Sequence, residues 1–313
     1  MKRTVTVIIL VCMLACLCAC GAGGGPLNFS TGGDQGTYFG FGGVMAQKVG
    51  EVTDTSVTAI TSGGSQANIY ALQDNDAQLA FVQSDVMAYA YKGSRLFEAD
   101  GAITDFSTVA AMYMEQVQIV TLDPEIKTVS DLKGKRVSIG AAGSGVYFNA
   151  IDILGVYGLS EADIQPSYQA FGDSTEALKD GQIDAAFVVA GAPTTAVTTL
   201  AAGNKVYLVS LDDEHIEKLR ALSPYYSKNI IAAEVYGTEE AVTTVAIGAV
   251  VVARNDVADS DIINFLTAVF EHELAHNKAA ELDLEFAASV TDVPYHPGAA
   301  EYFRNAGLEV FTG

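Results

Sequence analysis

Two stretches of this chain repeat at nearly one spacing, and that limits the folds open to it. "ALQDNDAQLAFV" (71–82) recurs as "ALKDGQIDAAFV" (177–188), with six of twelve positions identical. "GTYF" (36–39) recurs as "GVYF" (145–148). The offsets, 106 and 109 residues, nearly agree, as two similarly built units require. In each copy a helix ends at a turn (Asn75 or Gly181), and a strand then runs into polar or Gly-rich residues. Asn and Gly are the types that tolerate the left-handed backbone of such a turn.

Around the repeats, short apolar runs alternate with helical stretches, which predicts α/β architecture. "LNFST", "SVTAIT", "LAFV", "VAAMYM" and "VQIVTL" read as strands, as do "RVSIG", "AAFVVA", "KVYLVSL" and "VAIGAVVVA". Two similar α/β units imply a cleft, because ligands bind such sheets beyond the carboxyl ends of the strands. The predicted division is residues 27–120 with 241–313 as lobe 1 and 121–240 as lobe 2.

The first twenty residues, "MKRTVTVIILVCMLACLCAC", read as a targeting segment: Lys2 and Arg3 precede an apolar run too short for a comfortable membrane span. The run ends like a bacterial lipobox, so Cys20 is the expected lipidated residue after cleavage, with Cys16 a weaker competitor. "GAGGGP" (21–26) reads as a flexible tether. All four cysteines lie in the targeting segment, so the mature chain is expected to have no disulfide and no cysteine metal site or nucleophile. The expected location is outside the cytoplasm, lipid-anchored on the outer face of the bacterial cytoplasmic membrane. Net charge is −21 for the whole sequence, which excludes binding of nucleic acid or an anionic membrane surface through bulk charge.

Five loops after predicted strands are rich in Gly, Ser, Thr or amide residues: "STGGDQGTYFG" (30–40), "TSGGSQAN" (61–68), "VQSD" (82–85), "GAAGSGVYFN" (140–149) and "VVAGAPTT" (188–195). Gly permits close backbone approach, and successive N–H groups at a helix start bind anions. The dinucleotide fingerprint fails on spacing, and a P-loop fails because no Gly-Lys-Ser/Thr ends either Gly-rich loop. None of the five loops holds Lys or Arg, so a bound carboxylate would rest on backbone N–H groups and hydroxyls. Asp34 and Asp85 are candidates to meet a ligand ammonium or to cap helices. Tyr38 and Tyr147, one turn into their helices, are candidates for the cleft wall or the core.

His272-Glu273-x-x-His276 has the spacing of zinc hydrolases. If "DIINFLTAVFEHELAHN" (261–277) is one helix, its apolar stripe (Ile262, Ile263, Leu266, Val269, Phe270, Leu274) leaves both histidines pointing to solvent. A third ligand is needed, and Glu281, Glu285 and Glu301 stand in no recognisable motif. An exposed charged face is the preferred reading, with no metal and no cofactor.

Together "STGGDQGTYFGFGG", "TSGGSQANIYAL", "FVQSDVMAYA", "VSDLKGKRVSIGAAGSG", "ALKDGQIDAAFVVAGAPT" and "YHPGAAEYFRNAG" resemble, in order, the TAXI family, solute receptors of tripartite ATP-independent periplasmic (TRAP) transporters. The resemblance implies a two-lobed type II periplasmic-binding-protein fold with mixed sheets flanked by helices. It implies capture of a small carboxylate or amino acid of the glutamate-like class and delivery to an ion-gradient-driven TRAP permease in the membrane. By motif position, ligand contacts would fall on Thr31, Gly32, Tyr38, Ser65, Asn68, Gln83, Ser144, Gly145, Ala190 and Gly191. Many relatives carry Thr-Glu where this chain has Val146-Tyr147, and a neutral residue where it has Asp34. These departures point away from glutamate itself, towards fewer carboxylates or an amine. His296 belongs to the family pattern and reads as a hydrogen-bonded loop histidine.

The expected mechanism is hinge closure about strands near residues 118–122 and 238–246. A sensing module without transport is the alternative; an enzyme is disfavoured because the five loops hold no His.

Overall fold

The computed structural model describes residues 26–313. The targeting segment, Cys20 and residues 21–25 of the tether lie outside the described residues. In chain order the first elements are β1 (Leu27–Ser30), α1 (Thr37–Val52), β2 (Val57–Ile60), α2 (Ser65–Gln73), β3 (Leu79–Gln83), α3 (Ser84–Lys92) and β4 (Phe106–Thr121). Next come β5 (Arg136–Ser138), α4 (Gly145–Val156), β6 (Gln165–Ser167), α5 (Phe171–Lys179), β7 (Ala185–Ala190), α6 (Thr195–Ala201), β8 (Tyr207–Leu208) and α7 (Asp213–Leu222). The chain ends with β9 (Ser227–Ile231), β10 (Val242–Arg254), α8 (Asp259–Phe270), α9 (Leu284–Ala287) and α10 (Pro297–Asn305). Among the described residues no helix is long and apolar enough to cross a membrane.

The strands follow the order β2-β1-β3-β10-β4-β7-β5-β6, with β8 on β4 and β9 on β10. Pairing is parallel among β2, β1 and β3 and among β7, β5 and β6; around β4 and β10 it is antiparallel. β4 pairs with β10 from Phe106 to Gln116 and with β7 from Gln116 to Thr121. β10 pairs with β9 over Val242–Ala246 and with β3 over Ala249–Ala253. Each long strand therefore leaves one half of the sheet and enters the other. This is a two-lobed, mixed α/β fold flanked by helices, with one curled sheet running through both lobes.

The repeat folds as expected. Asn75 and Gly181 take φ of 62° and 66°. The carbonyl of Ala71 accepts from the N–H groups of Asp76 and Ala77, as that of Ala177 does from Gln182 and Ile183. Alternation along each following strand then feeds two faces. Leu79 and Phe81 pack with Phe29, Phe41 and Phe265, whereas Ala80 and Val82 pack with Ile69 and Phe97. In the second lobe Phe187 joins Val137 and Ile153, and Ala186 and Val188 face Val197 and Leu200. Each fully buried Phe of these clusters contributes about 2–3 kcal/mol.

Two expectations need correction, and two strands went unpredicted. "VAAMYM" and "VQIVTL" are not two strands but one, because Glu115 continues the ladder opposite Ile247. Short strands β6 and β9 carry too little apolar pattern to be read from sequence. The helix expected over 261–277 stops at Phe270, and His272 and Glu273 follow it as exposed, non-helical residues. His272 and His276 thus do not share a helical face.

Candidate functional site

Helices α1, α2 and α4 begin at Gly36, Gly64 and Ser144, none of which caps its helix with a side-chain hydrogen bond. All three starts border one cavity between the lobes, with about 560 Å³ of unfilled space including its mouth. The ends of β3 and β7 deliver Gln83, Val189 and Ala190 to its floor, Glu115 reaches it from within β4, and Phe171 closes one side. First-turn N–H groups and aligned peptide dipoles make such a place favourable for negative charge.

The rims of the two lobes touch. The Thr37 hydroxyl donates to the Gly191 carbonyl at 2.8 Å, and the Ala67 N–H to the Gly143 carbonyl at 3.0 Å. Ala196 N–H reaches the Gln35 carbonyl at 3.2 Å. Gly64, with φ of +109°, leaves only enough room for the Ser144 backbone beside it.

Of the residues expected to meet ligand, Gly32, Tyr38, Ser65, Gln83, Ser144, Gly145 and Ala190 line the cavity. Thr31, Asn68 and Gly191 do not. The Thr31 hydroxyl donates to the Ile60 carbonyl at 2.6 Å. Asn68 accepts from Ser30 and donates to the carbonyls of Thr31 and Phe81, each at 2.7 Å. Its role is to brace the first Gly-rich loop. Asp34 is exposed, and Tyr147 packs away from the cavity with its hydroxyl on Glu161 at 3.0 Å.

Two lining side chains have unused polar atoms. Gln83 Oε1 and Ser144 Oγ are buried and find no hydrogen-bond partner among the described residues. A buried polar atom left so is costly unless something occupies the space in front of it.

Glu115 was missed from sequence. It is buried in the cavity floor, and the Tyr38 hydroxyl donates to its Oε2 at 2.7 Å. Burial pushes its carboxyl up to about 8, so it carries a proton at neutral pH. Burial, with Glu115 alongside, also raises the Tyr38 phenol well above its ordinary range. Tyr38 stacks on Phe81 at 4.6 Å, which fixes the phenol over the acid. The available signal was an acid inside a long apolar strand run, where charge is costly unless used.

Behind the cavity, Gln83 Nε2 donates to Asn149 at 3.1 Å, and Asn149 donates to Asp85 at 3.0 Å and to the Tyr226 hydroxyl at 3.1 Å. Tyr226 in turn meets Asp152, which pairs with Arg95. Asp85 does not line the cavity. It joins the lobes, and burial raises its carboxyl to about 6.

His276 caps the short helical turn 277–281 by accepting from the Lys278 N–H at 3.1 Å, and its ring stacks on Phe41 at 4.7 Å. Burial lowers its pKa. Among the described residues no group of three or more His, Cys, Asp or Glu could hold a metal ion. His296 is buried, begins α10, and its Nδ1 accepts from the Gly298 N–H at 3.3 Å, as the hydrogen-bonded loop reading expected.

The pattern of the NMT1-like family matches residues 29–307. The chain belongs to the NMT1-like family. Among solved structures, a Bordetella bronchiseptica RB50 protein resembles this NMT1-like chain with a TM-score of 0.52 and 16% identity, over 84% of this chain and 77% of that one. That likeness supports the fold. The alkanesulfonate-binding protein SsuA from Xanthomonas axonopodis pv. citri, bound to MOPS, matches with a TM-score of 0.48 and 15% identity over 91% and 85% of the two chains. The GluR0 ligand-binding core from Nostoc punctiforme, in complex with L-glutamate, matches at 0.44 and 16% over 79% and 93%.

Proposed function

We propose that this protein is an extracytoplasmic solute receptor that encloses a small carboxylate or amino acid and hands it to a TRAP-type membrane permease. The observation that carries the reading is that Gln83 and Ser144 line one cavity from opposite lobes while their Oε1 and Oγ atoms are buried and find no hydrogen-bond partner among the described residues. Uncapped helix starts around the same cavity suit the carboxylate end of such a ligand. In this reading residues 27–120 with 241–313 form one lobe and 121–240 the other, and Cys20 carries the lipid anchor. The hinge falls on β4 and β10, near residues 118–122 and 238–246, because these two strands run from one half of the sheet into the other. Ligand stabilises the closed form by bridging the lobes, and the permease reads the closed surface.

A thermal-shift screen of the purified protein with amino acids, dicarboxylates, 2-oxoacids and sulfonates tests this. A ligand at 100 times its dissociation constant stabilises by about 2.7 kcal/mol, several degrees in melting temperature. A panel of carboxylates and amino acids that leaves the melting temperature unmoved counts against the reading.

A further inference from the structure

The polar groups that face the cavity are unequal in kind. Among the described residues that line it there is no Lys or Arg, and the one carboxyl is Glu115. Gln83 lines the cavity and donates Nε2 to Asn149, and its Oε1, a pure acceptor, is buried against Gly145 with no hydrogen-bond partner among the described residues. Glu115 uses Oε2 on the Tyr38 hydroxyl, and among the described residues no side chain pairs with its Oε1. Once Glu115 gives up its proton the floor therefore offers an anionic acceptor, while the donors lie at the helix starts of the rim.

We propose that the floor is an ammonium subsite in which Glu115 selects a zwitterionic amino acid over the matching oxo or hydroxy acid. This rests on the receptor reading and specifies its ligand. The carboxylate meets the N–H groups of α1, α2 and α4, and the ammonium lies against the floor.

The proton balance follows from the neighbours of Glu115. Tyr38 on α1 and Tyr113 on β4 are neutral, Asp85 on α3 is acidic and raises its pKa, and Lys278 in the turn 277–281 lowers it. Lys278 is itself paired with Glu281. Without ligand, burial keeps the proton on Glu115. An arriving ammonium is already protonated, so forming the ion pair requires the Glu115 carboxyl to give its proton to solvent. No bond to the ligand is made or broken. Binding of an amino acid at pH 7 should release close to one proton, and its affinity should climb with pH until Glu115 ionises in the free protein.

The experiment is titration calorimetry at pH 7 in two buffers of different ionisation enthalpy, with matched probes. These are L-valine, 2-oxoisovalerate and 2-hydroxyisovalerate, then L-glutamine, L-glutamate and 2-oxoglutarate. The expected result is that an amino acid binds, its oxo or hydroxy partner binds at least tenfold more weakly, and the heats reveal proton release. Glu115→Gln should weaken the amino acid on the order of a hundredfold and abolish the release. Equal binding of the oxo acid, or amino-acid binding without proton release in the unaltered protein, overturns the ammonium subsite and leaves the receptor reading standing. Silence across the whole panel removes both.

Discussion

Gln83 Oε1 lies directly under Gly145: a β-carbon added there would stand 1.7 Å from that oxygen. The two residues come from opposite sides of the cavity, so the contact measures how far the lobes have closed. Gln83 cannot swing aside freely, because Asn149 holds its amide.

Gly145→Ala should therefore favour an open form. The misfit is relieved by separating the lobes, so the unliganded melting temperature should fall little, while affinity for the ligand found in the screen drops by about tenfold or more. Calorimetry gives the affinity, and small-angle scattering should show that ligand no longer contracts the molecule. Unaltered affinity would mean that the cavity fills without this closure.

Ser144→Ala and Asn68→Ala should part company. Ser144 Oγ has no partner to lose among the described residues, so its removal should leave the melting temperature near that of the unaltered protein and weaken ligand by about 1 kcal/mol or more. Asn68 is fully buried and makes hydrogen bonds to Ser30, Thr31 and Phe81, so its loss should cost about 2–4 kcal/mol of stability. Denaturant unfolding of both variants decides; equal stabilities would contradict this division of roles.

Zinc should do nothing specific. Since α8 ends at Phe270 and His276 spends a ring nitrogen on the Lys278 N–H, the two histidines lack the shared face that their spacing suggests. Melting with zinc, then with zinc and chelator, should give one curve. A chelator-sensitive rise in melting temperature would revive the metal reading.

What could be read from sequence was what depends on local pattern. The repeat foretold the Asn75 and Gly181 turns and the Phe81 and Phe187 strands, since left-handed backbone and alternating burial each leave a signature in residue type. What escaped was set by distant neighbours. Asn68 stands in a motif that faces the cleft, yet its side chain is consumed by β1, β3 and the loop between them, which no local pattern records. Glu115 interrupts an apolar run and so read as a strand boundary, because its partner Tyr38 lies 77 positions away.

That buried acid should also govern how stability depends on pH. Glu115 ionises near 4.5 in the unfolded chain and near 8 in the folded one, so between those values the native state holds a proton that the unfolded state has released. Its contribution is complete below pH 4.5 and is lost as pH rises through 8. Asp85, raised from 3.8 to about 6, acts in the same direction over a lower window. The unaltered protein should thus lose stability relative to Glu115→Gln from pH 5 to pH 9, by an amount on the order of a few kcal/mol. Gln stays neutral throughout and can still accept from Tyr38, which isolates the charge from the hydrogen bond. Urea midpoints of both proteins at several pH values supply the comparison. A gap that stays constant from pH 5 to 9 would show that Glu115 is already ionised in the folded protein, and the proton released on binding would then have to come from elsewhere.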